Sequence, residues 1–178
     1  MKAVMKSFVT ISALSALAIA PMFMTVGKAN AAPKKGTDAS YVGAGIAAGV
    51  TNGGQNGDAA TFGGNIVGRA KLGTAPVSVR GQINFSDQTS AIIPHLTVDV
   101  PVAQGTNVYV GGGYQFVEKD GRPTPSGNKD GVAVVAGVES EVAKNFLIYS
   151  NATVGINAYK DSPASAVSIN TGIGYRFR

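Results

Sequence analysis

Seven charged residues stand inside stretches where apolar and polar residues alternate: Arg69, Lys71, Arg80, Asp99, Glu139, Glu141 and Arg176. Counting alternate positions puts all seven on the polar side of their stretch and none among the apolar residues. Four are basic and three acidic, which suits mutual pairing. Counted from the strand ends they share a depth. Lys71, Asp99, Glu141 and Arg176 lie near one set of ends, and Arg69, Arg80 and Glu139 sit slightly farther in. Charges removed from water persist only when paired and hydrogen-bonded. Two readings follow. The set forms a salt-bridged plug that closes or gates a pore, or it only fills an enclosed interior.

Other chemistry is sparse. His95 is the sole histidine and shares the side of the charges. No serine, cysteine or ligand cluster accompanies it in the pattern catalysis or metal binding needs, so packing is the expected role and no enzyme is predicted. The run Gly43-Ala44-Gly45 through Gly49 nearly spells a phosphate-binding loop, but no helix pattern follows it. No metal or cofactor site is expected, nor nucleic-acid binding, since no basic stripe interleaves with aromatics.

The elements that position the seven charges begin behind a leader. Lys2 and Lys6 precede an apolar run from Phe8 to Ala20, and Ala29-Asn30-Ala31 has the small-x-small form of a cleavage site. Residues 1–31 are read as a signal peptide, 32–39 as a short polar periplasmic tail, and 40–178 as one domain. Losing Lys2, Lys6 and Lys28 leaves 12 basic and 10 acidic residues, so the precursor's charge of +5 falls to +2. The chain has no cysteine. An exported protein without disulfides must draw its stability from elsewhere, and a closed hydrogen-bonded barrel provides it.

Eight alternating stretches are expected as strands: Ser40 to Thr51, Ala60 to Leu72, Val77 to Asp87, Ser90 to Val100, Thr106 to Glu118, Gly131 to Ala143, Asn145 to Ala158 and Ser165 to Phe177. An even number of antiparallel strands closes into a barrel without a free edge, and only helices and closed barrels cross a membrane. The odd connections tend to be long and the even ones short, which with the N-terminus inside makes the odd ones outward loops. The fold class is therefore all-β, an eight-stranded antiparallel up-and-down transmembrane barrel.

A soluble carrier would show the same alternation turned inside out. The polar face argues against it, being rich in Gly43, Gly45, Gly49, Gly111, Gly113, Gly137, Gly155, Gly172 and Gly174 with Asn and Ser. Small residues suit the crowded interior of eight strands, which is just wide enough for side chains. Above the charges, Asn65, Asn84, Asn151 and Asn170 suggest a small polar vestibule open to the outside. Pro94, inside the fourth strand, is expected at a bulge or near the outer rim. With no tryptophan, the six tyrosines and some phenylalanines are expected to supply the interfacial girdles.

The closing run Gly172-Ile173-Gly174-Tyr175-Arg176-Phe177 resembles the last strand of small outer-membrane barrels of the outer-membrane protein X and opacity type. The resemblance implies an outer membrane of the Gram-negative kind and a closing aromatic, matched by Tyr175 and Phe177, that the barrel-assembly machinery reads. The residues themselves favour a monomeric barrel with a structural or surface-binding role, with a narrow channel for ions or very small solutes as the alternative. The fifth connection, with Lys119, Asp120, Arg122, Lys129 and Asp130, is the best outward contact loop, because loops on rigid scaffolds often bind.

Overall fold

The computed structural model describes residues 36–53 and 61–177. The leader, its cleavage site, the start of the tail, most of the first connection and Arg178 lie outside them. The described chain forms β1 (Ser40–Gly49), β2 (Phe62–Lys71), β3 (Val77–Phe85), β4 (Ser90–Ala103), β5 (Thr106–Val117), β6 (Gly131–Ala143), β7 (Phe146–Gly155) and β8 (Ala166–Phe177). Each strand pairs antiparallel with the next, and β8 returns to β1, closing the barrel. The β2–β3, β4–β5 and β6–β7 connections lie at one end of the barrel, the turn end, and the other connections at the opposite, loop end. Register shifts occur between Pro101 and Ala103 and between Glu141 and Ala143, both beside turns.

Alternation sorts the two faces as the residue types dictate. Along β4, Ala91, Ile93, His95, Thr97 and Asp99 are buried while Ile92, Pro94, Leu96, Val98 and Val100 are exposed. Across the barrel the outward set is apolar, including Val42, Ile46, Ile66, Leu96, Val110, Val132 and Ile173, with relative exposures of 44–61%. The inward set carries Arg69, Arg80, Asp99, Glu139, Gln82, Gln115 and Asn84, all buried. An apolar exterior around a polar interior suits hydrocarbon and not water, and strands of this length cross a bilayer when tilted.

Two expectations are corrected. Pro94 carries no register shift and stands opposite Gly81 at the middle of β3, so it lies neither at a bulge nor at the rim. Its ladder to β5 lapses at Ile93 and Pro94 and resumes at His95↔Gly113 in the same register, while Gly81↔Pro94 pairs it with β3. Proline lacks the N–H that pairing needs, and the wall tolerates one missing rung without slipping. The girdles also differ. Tyr41, Tyr109 and Tyr149 are buried inside, and Tyr159 is buried in a loop-end connection. The outward aromatics are Phe62, Phe85, Tyr114 and Phe116 toward the loop end and Phe146, Tyr175 and Phe177 toward the turn end. Tyr114 packs on Phe116 and Phe146 on Tyr175, with ring centroids 4.9 and 5.5 Å apart.

The inward tyrosines explain much of the glycine. A Cβ on Gly43 would stand 2.8 Å from the Tyr149 ring, and one on Gly137 2.6 Å from that of Tyr109. At Gly172 it would meet both the Tyr149 hydroxyl and the Ala44 carbonyl. Gly68, on an outward position, has nothing within 4 Å of its would-be Cβ. Gly172→Ala should therefore destabilise by about 1–3 kcal/mol through overpacking. Gly68→Ala should be neutral or stabilising by about 0.5–1 kcal/mol. Urea unfolding in lipid vesicles compares the two directly, and equal effects would refute the packing account.

Candidate functional site: two closures of the barrel interior

The first closure lies toward the turn end. Arg69 and Arg80 descend from adjacent strands and share both carboxylates available to them. Arg69 contacts Asp99 at 2.9 Å and Glu139 at 2.9 Å; Arg80 contacts the same two at 2.8 and 2.9 Å. The result is a ring of two cations and two anions with no net charge. Glu139 is wholly buried and also accepts a hydrogen bond from Asn107 Nδ2 at 3.0 Å. Arg80 donates to Thr97 Oγ1 and to the Tyr41 hydroxyl, and its guanidinium lies 3.8 Å from the centre of the Tyr109 ring. Ser78 donates to Asp99 Oδ2 and accepts from Arg69 Nε. Full satisfaction of this kind lets charge sit in a low-dielectric interior.

The remaining strand charges do not join the ring. Arg176 pairs with Glu141 at 2.7 Å at a partly exposed rim, and Lys71 pairs with Asp38. The single network of seven is thus a ring of four with two separate rim pairs. Those three side chains stand nearest the strand ends, where water competes for them.

The segment before β1 reinforces this end. Thr37 is 3% exposed. Its N–H donates to Asn107 Oδ1 at 3.2 Å, and its carbonyl accepts from Asn107 Nδ2 at 2.8 Å and Arg69 Nη1 at 3.2 Å. The sequence offered no signal for this: a short polar segment before a strand reads as solvated whatever it contacts.

The second closure fills the loop end and corrects the open vestibule. In the β5–β6 connection Thr124, Pro125, Ser126, Gly127 and Asn128 are buried. Thr124 and Gly127 hydrogen-bond one another through both backbone groups, making a tight loop. Ser126 Oγ accepts from Asn84 Nδ2 at 2.6 Å and lies 3.2 Å from Ser168 Oγ. Below it the interior is bonded side chain to side chain. Gln82 donates to Asn84 and Thr153; Asn151 donates to Gln82 and Tyr109; Asn170 donates to Asn151. Val67 and Leu147 pack with Tyr41 and Tyr149 beside this network.

Other loop-end connections are stitched to the inserted loop. Asn128 N–H donates to the Ala158 carbonyl, Asn128 Oδ1 accepts from Lys160 N at 2.7 Å, and Lys160 Nζ pairs with Asp120 at 2.7 Å. That contact holds the Lys160 ammonium pKa above its ordinary value. The Tyr159 hydroxyl bonds Thr51, and burial pushes its pKa up. Lys119 N–H reaches Thr89, and Arg122 reaches Gln88. Lys119, Asp120, Arg122, Lys129 and Asp130 are all exposed on the shoulders of this loop.

His95 faces inward and is buried, with Nδ1 2.9 Å from the Ile93 carbonyl. Among the described residues no group of three or more His, Cys, Asp or Glu is placed to hold a metal ion. Tyr175 and Phe177 lie outward on β8 at the closing seam, paired with Val42 and Ser40.

No protein-family model matches the sequence, and no curated protein does. Among solved structures the chain is similar to Ail, the attachment invasion locus protein of Yersinia pestis, at 16% identity over 78% of this chain and 98% of that one, with a TM-score of 0.51. It is also similar to the N-terminal β-barrel domain of Pseudomonas aeruginosa OprF, at 13% identity over 79% and 98% of the two chains, with a TM-score of 0.50. These likenesses show the fold: that of small eight-stranded outer-membrane barrels.

Proposed function

We propose that this chain is an integral outer-membrane barrel, closed to ion flow, that works through its rigid outward loop surface as a structural or surface-contact protein. The observation that carries the reading is the double closure: the Arg69–Arg80–Asp99–Glu139 ring at one end and the inserted Thr124–Asn128 loop at the other. A barrel built to conduct would leave its polar interior to water. Here that interior is spanned by side-chain hydrogen bonds. The N-terminus and short turns face the periplasm, and the loop end faces outward, presenting Lys119, Asp120, Arg122, Lys129 and Asp130. Exposed charges of this kind add little to stability even where they pair, as Asp120 does with Lys160, so a partner can compete for them. Ail is named for attachment and invasion; attachment is the class of role proposed here, with the contacting residues being this chain's own. No reaction is assigned to His95. Tyr175 and Phe177, at the β1–β8 seam, are the residues offered to the assembly machinery, and the product is a monomer.

Purified protein in planar bilayers tests the reading. The expected result is no regular unitary conductance at neutral pH in molar salt. Uniform steps that scale with salt concentration would replace it with the narrow-channel reading. The place in the envelope is checked by an outer-membrane fraction whose protein changes gel mobility on boiling.

A further inference from the structure

We propose that the turn end of the barrel is a binding notch for a peptide backbone, and that residues 36–39 occupy it as a releasable strap. The idea deepens the closed-barrel reading and rests on it only for the consequence of release.

The notch reads main chain. Asn107 uses both atoms of its amide on Thr37, accepting from the N–H and donating to the carbonyl, as a neighbouring strand would. Gly36 N–H donates to the Ala103 carbonyl at 2.8 Å, and Gly36 forms a parallel bridge with Gln104. Arg69 Nη1 donates to the carbonyls of Thr37 and Ala39 at 3.2 and 3.1 Å. The receptor side chains therefore belong to the barrel, and the strap offers its backbone to Asn107, Ala103 and Arg69 and one side chain, Asp38, to Lys71.

The ligand class follows from the fit. Gly36 has φ of +80°, and a Cβ there would stand 2.7 Å from Pro101 Cβ and closer still to Asn107 Oδ1. The residue after it is small and buried. A segment that binds must carry glycine at the first position, where the backbone is left-handed, and a small residue at the second. A few hydrogen bonds hold such a segment without making it part of the barrel wall. Its release would uncover Arg69, whose carboxylate partners Asp99 and Glu139 remain in place.

Amide hydrogen exchange on the full mature chain in lipid vesicles tests this. The Thr37 amide should exchange about 100-fold more slowly than in the free peptide, as a locally opening element does. Gly36→Val changes no barrel strand, so the barrel should fold while Thr37 loses its protection and the Val110 and Ala136 amides keep theirs. A labelled peptide with the sequence of residues 35–40 should then bind the vacated notch of Gly36→Val saturably, and should not bind once Asn107→Ala is added. Free-peptide exchange of Thr37 in the unmodified chain, or no binding by Gly36→Val, would overturn the proposal. Protected Thr37 in a barrel that conducts would sink the closed-barrel reading alone. An unprotected Thr37 in a silent barrel would sink the strap alone.

Discussion

Glu139→Ala should destabilise the barrel by about 3–5 kcal/mol, the cost of stripping one partner from a buried ion network. Urea unfolding in lipid vesicles reads the loss, as does a lower temperature for the gel-mobility change. Glu139 accepts from Arg69, Arg80 and Asn107 at once. Without it two guanidiniums share Asp99 alone, and the ring carries an uncompensated positive charge. Arg80 retains its place over Tyr109, an attraction of about 2 kcal/mol when desolvated, too small to offset the loss. The double variant Arg80→Met/Glu139→Leu removes one charge of each sign and leaves Arg69 with Asp99. Replacing a buried pair by apolar side chains is often neutral or stabilising, so the double should recover most of the loss. A double as damaged as the sum of its singles would show that volume at these positions matters and charge balance does not.

Much of the wall was legible because its cause is local. Lipid on one side and packed polar groups on the other force a period of two, and a period of two is visible in one strand at a time. The β6 bounds, Gly131–Ala143, coincide with the expected ones for this reason. Tyr41, Tyr109 and Tyr149 lie inside rather than in the girdles, and parity places them there. Tyr41 shares its parity with Gly43 and Gly45, Tyr109 with Gly111 and Gly113, and Tyr149 with Asn151, all on the polar side. The interfacial preference of tyrosine yields to the face that its position in the strand dictates. The two closures are different in kind. Thr124–Asn128 has the composition of a solvated turn, and its partners Asn84 and Ser168 are each 42 positions away in sequence. Thr37 is 70 positions from Asn107. Nothing within a short window distinguishes a loop that folds in from one that stays out. Counting depth set Arg69, Arg80 and Glu139 together but left Asp99 with the rim charges, since which groups meet depends on stagger between strands.

Conductance should appear only when both closures are removed. Excising Thr124–Asn128 and rejoining the chain opens the loop end, exposing Gln82, Asn84, Asn151 and Asn170 to water. The ring below still blocks passage, because its charges fill an interior just wide enough for side chains. That variant should remain electrically silent. Arg80→Ala/Glu139→Ala keeps the residual Arg69–Asp99 pair neutral and clears volume at the other end, yet leaves Ser126 seated on Asn84 and Ser168. It too should be silent. The combined variant joins a hydrated upper interior to a cleared base, and planar bilayers should then show small, frequent steps. Steps from the loop excision alone would mean that the ring is no barrier. Silence from the combined variant would place the seal in the Gln82–Asn151–Asn170 network itself, and the barrel would be solid along its length rather than stoppered at its ends.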